Sequence, residues 1–513
     1  MPAKPLRSFI QRVKILEHHG DLDQEILGIA YDSRQAGPGH LFAALEGLHT
    51  DGHRYIDQAL DQGASAVLHS RLLERYHPKA AYLRVEDTRR ALSPLAAAFF
   101  GHPSEKLRMV GVTGTDGKST TVWLLQQLLE ALGQPSGFLS TVALKTDSGV
   151  VKNPFRQSTP EAPEVQGFLA QMVEAGKRYA VVEATSHGLS SRTSRLADVA
   201  FDAAVLTNVT HEHLEFHGTF EQYRSDKANL FRALDIKGAK PLEPRFGVVN
   251  LEDPSHDYFG SQTRAPVFTY SIRSPRADLW ADDFSHDLRG SWLTLHLKDP
   301  AALAEASQRV RLNLPGLFMA ENLLAAALAA ARLLNLPLAA IGPFIPGLTG
   351  VKGRMEEIDL GQPFRVIVDY AHTPEAFSKL FPMVRRTTPG ALIAVFGSAG
   401  ERDLEKRPLQ GRVASRFCDL VVLADEDPRG EDGLKILRDI ASGCEDRQEG
   451  RDLLVIRDRR QAIRRAFCLA KTGDTVLLLG KGHEESILYS DGPRPWDEAE
   501  EARASLRQMG YGS

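Results

Sequence analysis

The chain has 513 residues, 42% of them apolar and 25% charged, with a formal net charge of −4. A single core stops growing at about 250–300 residues, so this length implies several domains, read here as three. The mild acidity excludes a dedicated nucleic-acid binder, which needs a basic face, and Cys418, Cys444 and Cys468 stand in no zinc or disulfide-framework spacing.

The first twenty residues, MPAKPLRSFIQRVKILEHHG, are interrupted by charges and hold no apolar h-region. The most apolar helical run, residues 322–334, is short and carries Arg332. No export signal and no membrane span are expected, and the expected location is the cytoplasm. Residues 1–104 alternate strand-like runs with polar turns, as a small α/β domain does. Asp32, Ser33 and Arg34 stand at a strand end, where α/β sheets present side chains to ligands; the same triplet also suits a turn cap, and the residues leave both readings open.

A second α/β domain is expected over 105–345. Its defining stretch is LRMVGVTGTDGKSTTV, residues 107–122: an apolar run, a glycine-rich turn carrying Lys118, then a helix. Gly111, Gly114 and Gly117 let the backbone bend so that N–H groups and a helix N-terminus meet one anion. Lys118 would add a charge for the β- and γ-phosphates, and Ser119 or Thr120 a hydroxyl for Mg²⁺. Val112 stands where the usual G-x-x-x-x-G-K-[ST] spelling has its first glycine, so the reading rests on the strand and helix that flank the turn.

RYAVVEAT, FDAAVLTNV and RFGVVNL continue the pattern of a parallel sheet covered by helices. VFTYSI and SWLTLHLK, with Arg289 and Gly290 at a turn, read as antiparallel strands added to it. Glu183 and His187 follow one strand and would serve a Mg-nucleotide, since Mg²⁺ prefers hard oxygen ligands. The run HEHLEFH, residues 211–217, has a zinc-like spacing but no second cluster, and is read as a loop of the same nucleotide site. Lys227, taken by residue type alone, reads as a solvated helix lysine.

Residues 343–353, rich in proline and glycine, read as a linker. A third domain over 346–513 is expected to be doubly wound, with strands FRVIVDY, ALIAVFG, CDLVVLA, DLLVIRD and DTVLLLG. DYAHTP after the first of these suits a ribose and a base, or holds a structural His372. Arg402, Asp427, Arg429 and Glu484 each follow a strand and would gather on one rim. Two arginines and two carboxylates suit a zwitterionic amino acid, and equally a web of surface ion pairs.

Together, GVTGTDGKSTT, QSTPE, EATSHGL, TNVTHEHLEFHG, DKANLF, GRMEEI, VDYAHTP, ERDLEKRP, DEDPRGED and GKGHEE, with DSR and PGHLFAALEG at the front, resemble the Mur ligase family along nearly the whole chain. The resemblance implies a three-domain α/β fold: a uridine-nucleotide domain, a central P-loop ATPase domain and a Rossmann-like C-terminal domain. It implies an ATP- and Mg²⁺-dependent ligase that adds a diamino acid, meso-diaminopimelate, L-lysine or L-ornithine, to UDP-N-acetylmuramoyl-L-alanyl-D-glutamate through an acyl phosphate. The partners would be small-molecule substrates, with no nucleic acid, and the chain a monomer.

By the same resemblance Ser33 would contact the uracil end, and Ser158, Thr159, Ser186 and Arg195 the muramoyl-dipeptide. Gly114, Thr115, Asp116, Gly117, Lys118, Ser119 and Thr120 would cradle ATP, with Asn322, Arg354, Asp369 and His372 around adenine and ribose. Ser119, Glu183, His213 and Lys227 would hold the metal, Lys227 as a carbamate, which reverses the solvated reading; Lys118, Glu183, His213 and Lys227 form the catalytic set. Arg402, Asp427, Arg429, Gly480 and Glu484 would bind the amino acid.

The chain departs from the family pattern in four places. Asp116 replaces a common Asn, Met319 replaces another, SHGLSSRTSRL is two residues longer, and Glu426-Asp427-Pro428-Arg429 replaces D-N-P-R. In the last, Arg429 suits the far carboxylate of diaminopimelate, Asp427 suits a far ammonium, and pairing of the two would cancel both. Rival readings are a folylpolyglutamate synthetase-like ligase, which leaves the DSR domain without a use, and a non-catalytic nucleotide-binding partner protein.

Overall fold

The computed structural model describes residues 3–512 apart from the short segments 48–49, 156–157, 211–213, 237–239, 241–243, 288–289, 300–303 and 315. The chain forms two compact units, one of residues 1–284, 292–312 and 317–348, the other of 285–291, 313–316 and 349–513.

The first unit holds two large sheets and a two-stranded pairing of Lys4–Pro5 with Glu25–Ile26. The smaller has the order Glu17–His19, Ala81–Arg84, Ala66–His69, His40–Ala43, Gly28–Ala30, parallel but for its first strand. Period-two alternation sorts its side chains between two cores: Leu41 and Ala43 join Leu68 and Leu83 on one face, while Phe42 joins Val67 and Tyr82 on the other. The helix Thr88–Phe99 covers the first face, its N-terminus capped by the Asp87 carboxylate accepting from Arg90 N at 3.1 Å.

The larger sheet has eleven strands. Arg108–Thr113 lies at its centre, paired in parallel with Tyr179–Glu183 on one side and Ala203–Leu206 on the other. The chain leaves this strand toward Ser136–Leu139 and returns on the opposite side, so the turn at 114–117 opens at a topological switch point. Val267–Ser271 is parallel to both Phe246–Asn250 and Leu279–Asp287, which corrects the expected antiparallel arrangement of VFTYSI. The reason is the crossover through the helix His256–Gly260, which restores strand direction. Gly290 opens the next strand, and Arg289 lies outside the described residues.

The apolar run expected at 322–334 extends to an 18-residue helix, Leu317–Leu334. By length and composition it could cross a membrane, yet 72% of it is buried within the fold. It packs along the helix Lys118–Ala131 and over the central strands, so its apolar surface is a core surface. Beyond it, the expected linker begins as a turn of 3₁₀ helix, Gly342–Gly347, with Ile345 buried.

The second unit is a six-stranded sheet in the order Glu356–Glu357, Arg365–Asp369, Thr475–Leu479, Leu392–Phe396, Leu420–Leu423, Leu453–Val455. All pairs are parallel except the first. The five strands expected from sequence are the five parallel ones, and their continuous apolar character follows from burial on both faces. The loops after Asp369, Phe396, Leu423 and Leu479 leave the same edge.

Below that edge, Arg459 and Glu498 form an ion pair with both side chains 0% exposed, Nη2 to Oε1 at 2.6 Å. Arg459 also donates to Leu479 O at 2.7 Å, and Trp496 Nε1 donates to Glu498 Oε2 at 2.6 Å. Removing one partner strands the other charge in the core. Glu498→Ala is expected to lower unfolding free energy by about 3–5 kcal/mol in urea titration, and the double variant Arg459→Met/Glu498→Leu to recover most of it.

Candidate functional site

The glycine-rich turn is shaped by its neighbours. Gly114 has φ +150 and a Cβ there would sit 1.9 Å from Thr207 Oγ1; Gly117 has φ +82 and a Cβ would sit 2.3 Å from Asn322 Oδ1. Both positions require glycine for conformation and for space. Between them, Thr115 N donates to Asn208 O at 2.7 Å and Asp116 N to Asn208 Oδ1 at 3.0 Å. Thr207 Oγ1 donates to Asp116 O at 2.6 Å. Asp116 itself is exposed. Lys118 Nζ donates to Thr115 O at 2.8 Å, folded over its own loop. Ser119 and Thr120 are buried, and Asn322 Oδ1 accepts from Thr121 Oγ1 at 3.3 Å.

At the end of the adjacent strand Glu183 is only 3% exposed. Its carboxylate accepts from Ser119 Oγ at 2.8 Å, from Thr141 N at 2.9 Å and from Thr141 Oγ1 at 2.8 Å. Three donors thus converge on one carboxylate. Lys227 is 2% exposed, donates to Gly114 O and lies 4.4 Å from the Tyr223 ring centroid. The solvated reading of Lys227 is therefore wrong: the amphipathic helix Phe220–Ala233 turns it inward, onto the phosphate turn. His213, with His211 and Glu212, lies outside the described residues.

A second group surrounds Thr159. Its Oγ1 donates to Glu183 O at 3.2 Å and lies 2.9 Å from Thr185 Oγ1, while Ser158 beside it is half-buried. Arg195 Nη1 donates to Thr159 O at 2.9 Å and its Nη2 to Glu161 Oε1 at 2.9 Å. Arg89, from the N-terminal helix, reaches the same Glu161 oxygen at 3.2 Å. Ser186 Oγ lies 3.0 Å from His217 Nε2, and His217 Nδ1 lies 2.8 Å from Asp226 Oδ2. Ser33 stands apart from this group: its hydroxyl donates to Gln58 Oε1 at 2.9 Å, and Asp32 caps the turn by accepting from Arg34 N at 3.0 Å. His187 packs on Phe216, ring centroids 4.1 Å apart.

In the second unit, Asp369 accepts from Met355 N and Ala371 N, each at 2.8 Å, and burial raises its pKa against the pull of Arg354. Arg354 stacks on Tyr370, 4.6 Å from the ring centroid, and its Nε has no hydrogen-bond partner among the described residues. His372 Nδ1 lies 2.8 Å from Tyr370 O. On the rim, Asp427 Oδ1 accepts from Lys481 Nζ at 2.8 Å and from Leu488 N at 2.9 Å. Glu484 accepts from Lys481 and, at 3.3 Å, from Tyr370 OH. Asp427 thus pairs with Lys481, and among the described residues not with Arg429, whose Nε is buried without a hydrogen-bond partner there. Gly480, φ +97, lies against Glu426, and Arg402 is exposed.

Three family models match in order: the Mur ligase family catalytic domain over residues 25–100, the Mur ligase middle domain over 112–330, and the Mur ligase glutamate ligase domain over 353–482. The chain is 51% identical to the UDP-N-acetylmuramyl-tripeptide synthetase of Roseiflexus sp. (strain RS-1) over 502 residues, 96% of this chain and 97% of that one. The chain belongs to the Mur ligase family. It is also 38% identical to the UDP-N-acetylmuramoyl-L-alanyl-D-glutamate--2,6-diaminopimelate ligase of Syntrophomonas wolfei, over 98% of this chain and 99% of that one. A solved structure of a ligase of that same name superposes with TM-score 0.66 at 29% identity, covering 100% of each chain.

Against the Mur ligase pattern, Met319 is 1% exposed and belongs to the core, and the longer SHGLSSRTSRL segment still brings Arg195 to Thr159. Sequence reasoning missed Glu161, Arg89, His217, Asp226 and Lys481 as members of these groups. Glu161, His217, Asp226 and Lys481 lie in QSTPE, EFHG, DKANLF and GKGHE and Arg89 lies in no quoted motif, but each depends on a partner elsewhere in the chain.

Glu164 adjoins the Arg195 group, with Tyr31 hydrogen-bonded to it, and burial pushes its pKa up to about 6. A raised acid pKa means that folding favours the protonated form, so this site costs stability as pH rises from about 4.5 through about 6. Glu164→Gln should melt higher than the parent at pH 7–8, by the equivalent of roughly 2 kcal/mol, and the difference should vanish below pH 4.5 in thermal scans.

Proposed function

We propose that this chain is an ATP-dependent amide ligase of peptidoglycan precursor synthesis. It joins a diamino acid to the D-glutamate side-chain carboxylate of UDP-N-acetylmuramoyl-L-alanyl-D-glutamate. The observation that carries the reading is the buried Glu183 carboxylate meeting the Ser119 hydroxyl at the mouth of a glycine-rich phosphate turn, in a chain of this family. Residues 1–104 take the uridine end in this reading, 105–345 the triphosphate, and 346–513 the amino acid.

A free carboxylate is a poor acyl donor. The γ-phosphoryl group of ATP therefore passes to it, releasing ADP, and the amine of the diamino acid attacks the acyl carbon, expelling phosphate and losing a proton. Lys118 swings from Thr115 O to the phosphates, and the turn's N–H groups, with Gly114 and Gly117 lacking a Cβ, approach them closely. Arg195, held by Glu161, faces the dipeptide carboxylate, with Thr159, Ser158 and Ser186 beside it. Asn322, Arg354, Asp369 and His372 serve adenine and ribose, and Ser33 the uracil.

The Ser119 hydroxyl and the Glu183 carboxylate are hard oxygen donors that fit Mg²⁺, with His213 and a carbamylated Lys227 completing the set. When bound, the ion offsets charge on the moving phosphoryl group. Burial of Lys227 against Gly114 O gives a carbamate there a fixed place beside the phosphates. Small molecules are the partners in this reading, and a monomer suffices for the chemistry.

Phosphate release from ATP should require both UDP-N-acetylmuramoyl-L-alanyl-D-glutamate and one of diaminopimelate, lysine or ornithine, supplied in turn, and the amino acid that gives turnover identifies the substrate. Release without the sugar nucleotide, or only with a folate substrate, would sink the reading. Lys227→Ala should lower kcat by roughly 10²–10³-fold, and added bicarbonate should not restore it; turnover at the parent rate would remove the carbamate role.

A further inference from the structure

The rim of the second unit contains a charge that no sequence motif assigned. Lys481 is 0% exposed, yet its ammonium bridges two carboxylates, Asp427 at 2.8 Å and Glu484. Burial disfavours its charge, but the two acids outweigh that and lift its pKa, so it is an ammonium at neutral pH. The bridge uses one oxygen of each acid: Asp427 Oδ1, which also accepts Leu488 N, and Glu484 Oε2. Asp427 Oδ2 has no partner among the described residues, and Glu484 Oε1 takes only the long Tyr370 contact of 3.3 Å. Across the loop, Arg429 leaves its Nε without a partner.

We propose that Lys481 is the positioning residue of the amino-acid pocket, fixing Asp427 and Glu484 so that one oxygen of each faces the substrate and Arg429 keeps its charge for a carboxylate. The proposal rests on the reading of this rim as the amino-acid site. Its physical basis is that two carboxylates at this spacing repel, and without a cation between them each would turn to solvent or to Arg429. With the lysine in place, the rim keeps acceptor oxygens on Asp427 and Glu484 and a donor on Arg429, which matches a zwitterion. Lys481 touches no reacting atom; it acts through the acids.

Steady-state kinetics with the full chain separate the outcomes. Lys481→Met should raise KM for the diamino acid by roughly 10–100-fold, while KM for ATP and for the sugar nucleotide stay within about 2-fold and kcat changes less than KM. Lys481→Gln, which keeps a donor and loses the charge, should fall between the two, and it serves where the methionine variant does not fold. The double variant Lys481→Met/Glu484→Gln should be no worse than the worse of the two single variants, since both changes remove the Lys481–Glu484 bridge. Parallel rises in all three KM values, or additive effects in the double variant, would overturn the proposal and leave Lys481 as a structural charge. If Glu484→Gln and Arg429→Met both leave the diamino-acid KM unchanged, the reading of the rim itself has failed, which is a different result.

Discussion

The first unit depends on one buried carboxylate. Glu183 ends its strand, receives the Ser119 hydroxyl from the phosphate-turn helix and receives both donors of Thr141 from the next strand's loop. Its backbone oxygen also holds Thr159. A charge taken out of water must be fully hydrogen-bonded, so the three segments that satisfy Glu183 are drawn to one point. That point lies where the central sheet reverses its winding, which is why the phosphate turn, the Thr159 group and Lys227 share a neighbourhood.

The second unit solves a related problem with cations. The side chains of Arg407, Arg459 and Lys481 are each 0% exposed and each binds carboxylates: Arg407 with Glu431 and Asp439, Arg459 with Glu498, Lys481 with Asp427 and Glu484. All three stand near the edge from which the loops after Asp369, Phe396, Leu423 and Leu479 depart. Ion pairs of this kind add little net stability over apolar packing, but they penalise any other arrangement of the loops. The rim is therefore held by specificity of pairing more than by strength.

Strands were legible because parallel sheets buried on both faces write themselves as runs of valine, leucine and isoleucine; all five such runs in the last unit are strands. The phosphate turn was legible because its glycines and Lys118 are adjacent in sequence. Direction was not: VFTYS has the same composition whether parallel or antiparallel, and only the short helix before it decides. Lys227 read as solvated because a lysine's burial depends on which helix face meets the sheet. Lys481 escaped because its bridge to Asp427 spans 54 residues, and neither residue's own neighbourhood announces the other. Ser33 remains engaged with Gln58, so its sequence signal and its local bond coexist.

The phosphate turn also constrains how the chain can change over generations. Space for a methyl group at 117 is already filled by the Asn322 amide, and at 114 by the Thr207 hydroxyl. Any lineage that acquired a side chain at either glycine would first have to shrink its neighbour, so the order of substitution is imposed: 322 before 117, and 207 before 114. Even then the left-handed backbone at 117 would cost about 1–2 kcal/mol. Two pairs of residues far apart in the gene are thereby bound to inherit together.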